Sequence, residues 1–553
     1  MRGWIKVMNK IAQYLNEHIL GEVTSSKVIR EKFSRDGSIL KIIPELVAHP
    51  RVTNDIRKIA RFTWQLAEKG HIMPMTARGG GSDLTGAAIG KGIIINNLAH
   101  LNKIIYISTK SKDQFVHVQP GVNFGTLNET LKSHSMIIPT YPSSFSYSTI
   151  GGAVANNSGG QLAGRYGMIR DWVKRLEIVL SNGDLIETTR INRRELNKKK
   201  GLQTFEGEIY RKIDGIIEDN QQLIKDKIDS NLLDNIGYPG ISQVKQRDGS
   251  FDLTPLIVGS QGTLSFISEI VLKTDFYSNE ESAIVAVFAN AEVARDAADV
   301  LATLKPATLD FIDGELFEMS KTHGKKYIFQ NEEVDNSVGA VLFASFDDYG
   351  DRAQNHKIKV ALKKLSKFET TVFASTEHPI DELNAIRDAS SLILQPDTKE
   401  ETMPPLIDGA SVPTNRREEF ITAIKELAAK HHISLPLQIH WLDNVIETRP
   451  IMQLHRVGDK QKVFKLIAEY AELIDKLGGN LAAKSGEGRL KATAAYKFVD
   501  EDLLSVYSQI RATFDPFGTM NPGVKQKTDM KTLVLHLNPE YNLSNISKYS
   551  PRW

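Results

Sequence analysis

A chain of 553 residues is too long for one compact hydrophobic core, so we expect two or more domains. Its 69 basic and 67 acidic side chains leave a formal net charge of +2, which gives no electrostatic basis for binding nucleic acid. The absence of cysteine excludes disulfides, thiolate zinc sites and cysteine-ligated iron–sulfur clusters, and it makes the cytoplasm the simplest expected location.

No apolar run in the sequence reaches the roughly 18 residues of a membrane-spanning helix. The opening stretch MRGWIKVMNKIAQYLNEHIL is interrupted by Lys6, Asn9 and Lys10 and lacks a small-residue cleavage site, so it is not a secretory signal. We interpret it as an amphipathic helix that packs on the protein. A peripheral contact with the inner face of a membrane is the alternative.

The first predicted element after it is a helix over 53–70, with a cap at Thr53, an apolar face at helical spacing and a stop at Gly70. A charged insert at 188–250 predicts helices and solvated loops. Beyond about residue 275, apolar runs alternate with amphipathic helices, which predicts a second α/β unit. Earlier strands are predicted at 71–77, 90–99, 113–119 and 173–180.

The most informative local stretch is RGGGSDLTG at 78–86, which joins two predicted strands. Three consecutive glycines let several backbone N–H groups point to one place and form an anion-binding nest, to which Ser82 and Thr85 add hydroxyl donors. A dinucleotide fingerprint needs a strand-to-helix loop, and a P-loop needs GKS or GKT, so neither describes this segment. Taken alone, the loop could also be a plain glycine-rich hairpin.

Further glycine-dense stretches follow: PTYPSSFSYSTIGGAVANNSGGQLAGRYGMIRDWV (139–173), LIVGSQGTLSFISEIVLK (256–273) and FDPFGTMNPGVK (514–525). So many glycines cost backbone entropy unless a ligand fills the space that they leave. Together these segments resemble the FAD-linked oxidases of the vanillyl-alcohol oxidase type, in the branch of D-lactate and glycolate dehydrogenases. The resemblance covers roughly residues 36–525.

The resemblance implies an α+β fold. A two-subdomain FAD-binding domain of the vanillyl-alcohol oxidase type would carry an α/β substrate (cap) domain, and the C-terminus would return to the FAD-binding domain. The expected divisions are an N-terminal helical segment (1–35), the FAD-binding domain (36–275), the cap domain (276–510) and the return with its tail (511–553).

The resemblance also implies how the chain would hold FAD. The first loop would cradle the pyrophosphate, and the second stretch would line the isoalloxazine and ribityl side. Because the first loop contains no histidine and the chain no cysteine, we expect FAD to be bound non-covalently. The expected cofactor-binding residues are Arg78, Gly79, Gly80, Gly81, Ser82, Asp83, Thr85, Pro142, Ser143, Gly151, Gly152, Ala155, Asn156, Asn157, Gly160, Tyr166, Gly259, Gly262, Thr263, Ile267 and Asn521.

For the chemistry, the family uses an arginine for the substrate carboxylate, a divalent metal and a histidine base. LNAIRDASSL (383–392) matches the arginine segment, so Arg387 is the expected carboxylate ligand. QIHWLDNVIETRP (438–450) keeps His440 and Asp443 at the positions of the first histidine and the aspartate. Glu447, however, stands where the family has its second metal-binding histidine.

The segment GGNLAAKSGEGRLK (478–491) departs further from the family. In the ungapped alignment Lys484 stands at the position of a metal-binding glutamate, and Ser485 stands at that of the histidine base. A gapped alignment would instead match Glu487 with the glutamate, at the cost of losing Arg489. We therefore expect an active-site loop with exchanged residues and no bound metal, in which His440, Lys484 and Ser485 are catalytic candidates with Arg387.

The exchange has two interpretations. In a charge swap, Lys484 takes the place of the metal electrostatically, or has its pKa lowered enough to act as a base. In the other interpretation the site has drifted and Lys484 is solvated.

The predicted function is oxidation of a small, D-lactate-like D-2-hydroxy acid by hydride transfer to flavin N5, with a quinone or cytochrome as electron acceptor. The alternatives are an FAD enzyme that acts on a different alcohol without a metal, and a flavin-binding protein that has lost catalysis.

Overall fold

The structure is a computed structural model, and it describes residues 2–110, 112–228, 233–277, 281–323, 337–348, 350–384, 401–528, 530–538 and 540–541. Its first sheet has four strands in the order β1-β2-β4-β3, with parallel pairing of β2 and β3 to β4. The strands are β1 (Glu22–Thr24), β2 (Leu46–His49), β3 (Met75–Arg78) and β4 (Ile93–Asn96).

Three helices accompany this sheet: α1 (Arg2–His18), α2 (Lys27–Lys32) and α3 (Thr53–Glu68). The predicted helix over 53–70 is confirmed as α3. It begins at Thr53 itself, with Val52 in the cap position, and the chain leaves it through Gly70 at φ +81°. A crossover helix of this kind allows the flanking strands to run parallel to a common neighbour.

Helix α1 packs on the protein. Its apolar residues Met8, Ala12 and Leu15 are buried in one cluster with Ile56 and Ile59 of α3. Its amphipathic pattern is therefore accounted for by packing. Within the described residues, no helix combines the length and apolar character that a bilayer crossing requires.

The second sheet is antiparallel, with five strands in the order β5-β6-β10-β8-β9. Its strands are β5 (Ile104–Ser108), β6 (Phe115–Val118), β8 (Val173–Val179), β9 (Leu185–Thr188) and β10 (Phe266–Lys273). Strands β7 (Met136–Ile137) and β11 (Asp275–Phe276) form a separate pair. The helices in this part of the chain are α4 (Phe124–Lys132), α5 (Ile150–Asn156), α6 (Ala163–Tyr166), α7 (Ile169–Trp172), α8 (Arg193–Lys200), α9 (Phe205–Asp219), α10 (Gln221–Ile228) and α11 (Thr254–Ile257).

The third sheet has seven strands in the order β15-β12-β14-β13-β17-β18-β16, all paired antiparallel. They are β12 (Ser282–Phe288), β13 (Thr308–Asp313), β14 (Ala340–Phe346), β15 (Thr371–Ala374), β16 (Ala410–Ser411), β17 (Leu437–His440) and β18 (Val445–Thr448). The helices along this sheet are α12 (Ala291–Ala302), α13 (Gly314–His323), α14 (Asp351–Leu365), α15 (Arg417–His431) and α16 (Val457–Lys476).

The C-terminal part of the chain returns to the first sheet, as predicted. It contains α17 (Ala492–Ala495), α18 (Glu501–Phe514) and α19 (Met530–Leu535). Between α18 and α19, the backbone N–H of Asn521 donates to the Met75 carbonyl at 2.8 Å, and Met75 N–H donates to the Thr519 carbonyl at 2.8 Å. The domain boundary expected between residues 275 and 276 falls inside β11. Strand β1 precedes residue 36, the expected start of the FAD-binding domain, yet it pairs with β2 of the first sheet.

Candidate active site

One cleft brings together the glycine-rich segments 78–86, 139–173 and 256–273. It encloses about 1530 Å³ of empty space, part of it open to solvent. Twelve of the expected cofactor-binding residues line it: Gly79, Gly80, Gly81, Ser82, Asp83, Thr85, Pro142, Ser143, Gly152, Ala155, Asn156 and Gly262. Arg78, Gly151 and Ile267 line a second cavity, whose wall shares Gly79, Gly152, Ala155 and Gly262 with the cleft.

The first loop needs its glycines for steric reasons. A Cβ on Gly80 would collide with the Tyr147 carbonyl, and Gly81, at φ +73°, faces the guanidinium of Arg78. The Asp83 carboxylate accepts hydrogen bonds from the N–H groups of Thr85 (2.9 Å) and Ala87 (2.7 Å). Asp83 therefore fixes the shape of the loop.

Six expected residues are not among the described lining residues of the cleft or of the second cavity: Asn157, Gly160, Tyr166, Gly259, Thr263 and Asn521. Asn521 is 1% exposed and donates to the carbonyls of Ala87 and Gln261, both at 2.8 Å. The Tyr166 hydroxyl donates to Asp347 at 2.5 Å. These two side chains hold segments together, and their predicted contact with FAD stays a prediction.

Several polar groups at the cleft and the adjoining cavity have no hydrogen-bond partner within the described residues. They are Asn97 Oδ1, Ser148 Oγ and Ser265 Oγ, all buried. Buried polar groups normally have a partner, so such groups beside an empty space indicate a polar ligand. Together with the glycine cradle, they fit the ribityl, phosphate and ring heteroatoms of FAD.

The C-terminal half of the chain places a charged group on the same cleft, formed by Asp408, Arg449 and Lys491. Arg449 donates to Asp408 Oδ2 from Nη2 at 2.9 Å and from Nε at 3.3 Å. Lys491 donates to the backbone carbonyl of Asp408. Burial lowers the pKa of Lys491 to about 8, against the opposing effect of Asp408. The other oxygen of Asp408, Oδ1, has no partner among the described residues.

A line of alternating charges connects this cleft to the interior of the seven-stranded sheet. His440 in β17 is opposite Asp310 in β13, and Glu447 in β18 is opposite Gln438, two residues before His440. Cross-strand neighbours of this kind share one face of a sheet. His440 therefore contacts Asp310 Oδ1 at 2.5 Å and Glu447 Oε1 at 3.0 Å, and the ammonium of Lys484 contacts the same Glu447 oxygen.

The protonation states follow from burial and from these neighbours. Burial alone would lower the pKa of Lys484, but the carboxylates of Glu447 and Asp408 outweigh it and raise that pKa. Burial would raise the pKa of Glu447, but Lys484 and His440 outweigh it and lower that pKa. Lys484 is thus an ammonium whose side chain is 13% exposed, neither a neutral base nor a solvated lysine.

The metal that the resemblance implies does not fit these residues. Both ring nitrogens of His440 and one oxygen of Glu447 are already engaged, and an ammonium adjoins them. Across the described residues, no group of three or more histidine, aspartate or glutamate side chains is arranged to hold a metal ion. Metal binding normally requires free, deprotonated ligand atoms.

Of the other predicted catalytic residues, Ser485 lines the cleft beside Lys484. His440 is 4% exposed and lies behind Lys484 and Glu447, away from the described cleft lining. Arg387 lies outside the described residues.

Sequence reasoning missed Asp408, Arg449, Lys491 and Gln261, all of which line the cleft. Gln261 donates to Asn156 at 2.8 Å and accepts from the N–H of Gly488 at 3.0 Å, so it links two glycine segments. The sequence signal for Gln261 was its position between glycines in GSQGT. The structure gives it φ +52°, a backbone conformation that is uncommon for residues other than glycine. No local pattern marks the other three residues.

Comparison with known proteins agrees with this geometry. Residues 44–189 match the FAD binding domain, and residues 278–524 match the C-terminal domain of FAD linked oxidases. A structure of p-cresol methylhydroxylase with substrate bound superposes with a TM-score of 0.68 at 10% identity, over 96% of this chain and 98% of that one. The 4-ethylphenol oxidase from Gulosibacter chungangensis, in its isoeugenol complex, gives 0.66 at 14% identity, over 95% and 98%.

The fold is therefore that of the flavoenzymes of the vanillyl-alcohol oxidase type. Because the two matches cover most of the chain, it belongs to the FAD-linked oxidases and is an FAD-dependent oxidoreductase. The predicted family, fold class and cofactor are confirmed.

Among characterised relatives, the glycolate oxidase subunit GlcD of Bacillus subtilis is 25% identical over 89% of this chain and 91% of its own length. The D-2-hydroxyglutarate dehydrogenase of Pantoea ananatis is 25% identical over 91% of this chain, but the chain spans only 50% of that protein. The D-lactate dehydrogenase of Anaerostipes hadrus is 23% identical over 94% and 97%.

Proposed function

We propose that the chain dehydrogenates a small D-2-hydroxy acid of the D-lactate type. The observation that carries this proposal is the charged group of Asp408, Arg449 and Lys491 together with Lys484, all of which line the same cleft as the glycines expected to bind FAD. A substrate carboxylate needs buried cations, and a hydroxyl that loses its proton needs an acceptor. The relatives named for glycolate, D-2-hydroxyglutarate and D-lactate support this substrate class.

Arg449 and Lys484 hold the carboxylate in this proposal. A guanidinium carries five N–H donors. Asp408 accepts one hydrogen bond from Nε and one from Nη2 of Arg449, which leaves the other donors for a substrate. The Lys484 ammonium carries three and directs one at Glu447. Two cations fixed by buried carboxylates are pre-organised, so little side-chain entropy is lost when a substrate binds. The predicted role of Arg387 is the same and stays a prediction.

Asp408 Oδ1 accepts the hydroxyl proton. Ser485 has replaced the family's histidine base, and Lys484 is already protonated. Asp408 Oδ1 is a buried acceptor on the cleft that is free of partners within the described residues. FAD, when bound, supplies the electron acceptor for the hydrogen that leaves the substrate carbon. The ammonium and guanidinium groups stabilise the negative charge that builds up on the substrate oxygen as its proton leaves.

A quinone or cytochrome as the next electron acceptor stays a prediction, as do a cytoplasmic location and non-covalent attachment of FAD. The absence of cysteine means that a cysteine-ligated iron–sulfur cluster within this chain cannot carry the electrons onward.

The test is anaerobic bleaching of the flavin absorption band in the purified protein. D-lactate, glycolate and D-2-hydroxyglutarate are each compared with L-lactate and with a neutral alcohol of similar size. Reduction by a D-2-hydroxy acid, with slower reduction by L-lactate, supports the proposal. Reduction by the neutral alcohol alone would favour the metal-free alcohol dehydrogenase, and a flavin that none of them reduces would favour a protein without catalysis.

A further inference from the structure

We propose that the ammonium of Lys484 replaces the divalent metal ion of related enzymes, so that this active site handles its substrate without a metal. The inference rests on the proposed function, because it assigns the group that meets the substrate oxygens. It starts from the disagreement between the metal that the resemblance implies and the contacts of the residues at its expected position.

The lysine is held in place by the backbone around it. The N–H groups of Ala483 and Lys484 both donate to the Gly409 carbonyl, at 2.9 and 3.1 Å. Gly409 has φ +80°, and a Cβ there would lie 2.7 Å from the Cβ of Lys484. The close approach therefore requires glycine at 409, and it fixes the root of the lysine side chain.

The ammonium then meets the atoms that would otherwise bind a metal. Glu447 Oε1 is shared between Lys484 and His440, and the other ring nitrogen of His440 contacts Asp310. Exchanging a carboxylate for an ammonium at position 484 adds about two positive charges, and exchanging histidine for glutamate at position 447 removes about one, so the two exchanges together supply part of the charge that a divalent ion would bring. Lys484 lines the cleft, whereas His440 and Glu447 are absent from its described lining, so the ligand meets the ammonium first.

A drifted site would look different. An unconstrained lysine is usually solvated, with its ammonium in water and only its stem packed against the protein. Lys484 is 13% exposed and its carboxylate partner Glu447 is 3% exposed. A buried cation with a buried counterion costs desolvation, which a solvated lysine would avoid.

The experiment restores the metal-binding residues and measures zinc binding directly. The variant Lys484→Glu with Glu447→His returns both positions to the family pattern beside His440. We expect the FAD-loaded variant to bind about one Zn²⁺ per chain by calorimetry, with a raised melting temperature. After dialysis against a chelator, the wild-type protein should retain less than ~0.1 metal ion per chain and show no zinc titration. Lys491→Glu, which places a carboxylate elsewhere on the cleft, should gain no zinc site.

Stoichiometric metal in the wild-type protein that resists the chelator would overturn the inference, and so would a folded double variant that binds no zinc. If the double variant fails to fold, the metal content and chelator resistance of the wild-type protein decide alone. Because these readouts do not use turnover, they remain valid if no hydroxy acid reduces the flavin, which would contradict the proposed function separately.

Discussion

The ammonium of Lys484 and the carboxylate of Glu447 form a buried ion pair between the loop after α16 and strand β18. Removing one member of such a pair leaves a buried charge without its counterion. We expect Glu447→Gln to lower the free energy of unfolding by about 3 kcal/mol, measured by denaturant unfolding of the FAD-free protein. Lys484→Met combined with Glu447→Gln should cost less than the sum of the two single changes.

An exposed pair provides the matched control for that measurement. Arg416 and Glu419 are joined at 2.6 Å but are 36% and 51% exposed. Arg416→Met should change the free energy of unfolding by no more than about 0.5 kcal/mol, because solvent screens the pair. Equal effects at the buried and exposed pairs would contradict the importance of burial at Glu447.

The assignment of Asp408 as proton acceptor predicts a loss of rate without a loss of binding. Asp408→Asn keeps the shape of the side chain but removes its basicity. The rate of flavin reduction by the substrate should fall about a hundredfold or more. Oxalate is a carboxylate that the enzyme does not oxidise, and its binding is measured by the change that it causes in the flavin spectrum. The affinity for oxalate should change far less than the rate of flavin reduction. A rate near that of the wild-type protein would exclude Asp408 as the base.

Asp299→Asn is the control for this experiment. Asp299 also pairs with an arginine, since its Oδ1 lies 3.4 Å from Arg417, but neither residue is among the described cleft residues. We expect normal flavin reduction in Asp299→Asn. Loss of rate in both variants would indicate a general structural effect.

The carboxylate-binding role of Arg449 is tested by substrate dependence. Arg449→Met should raise the substrate concentration for half-maximal flavin reduction about tenfold to a hundredfold, the usual range for a lost charge-assisted hydrogen bond. Arg387→Ala is the parallel test of the arginine predicted from sequence. If only Arg387→Ala raises the substrate concentration for half-maximal flavin reduction, Arg449 acts as the partner of Asp408 and does not hold the substrate.

The steric requirement of the first loop predicts loss of FAD. A Cβ on Gly80 would collide with the Tyr147 carbonyl and force the loop open. We expect Gly80→Ala to be purified largely colourless and to bind added FAD at least about a hundredfold more weakly. Gly215→Ala in α9 is the control, since nothing lies within 4 Å of its added Cβ. A Gly80→Ala protein that retained its flavin would contradict the pyrophosphate assignment.

The pH dependence of FAD binding follows from Asp36. Its carboxyl is buried and lies near Asp83, and burial together with that charge raises the pKa of Asp36 to about 7. Below that pH the group is neutral, and above it a second negative charge adjoins the loop that is proposed to hold the pyrophosphate. The dissociation constant of FAD should therefore increase several-fold between about pH 6 and about pH 8. Asp36→Asn should remove this increase, as measured by flavin fluorescence quenching. An increase that persisted unchanged in Asp36→Asn would contradict the assignment.

The raised pKa of Asp36 also makes the stability of the FAD-free protein depend on pH. Because the folded pKa of Asp36 lies above its unfolded value of 3.8, the folded state binds more protons between those values. The contribution of Asp36 to stability therefore decreases as the pH rises toward 7, and Asp36→Asn should stabilise the FAD-free protein more at about pH 8 than at about pH 4.

Local patterns predicted many of the elements, and the family resemblance of the glycine-rich segments predicted the cofactor. Helix α3 follows from its apolar spacing and from Gly70. Strands β4, β6 and β8 lie within their predicted ranges, and β3 overlaps its predicted range but extends beyond it to Arg78. Glycine runs between strands identify a nest because the backbone freedom of glycine is a property of the residue itself. Most of the expected FAD residues therefore line the cleft or its adjoining cavity.

The sequence by itself determined the family and the cofactor and located Lys484 in a loop that departs from the family pattern, since each motif is carried by residue type and spacing within a short segment. Only the tertiary structure decided which groups that lysine contacts. Its counterion Glu447 lies 37 residues away, and the line of charges ends at Asp310, 130 residues from His440. Those contacts depend on the register of three antiparallel strands, and register is set by packing across the sheet and not by any local pattern.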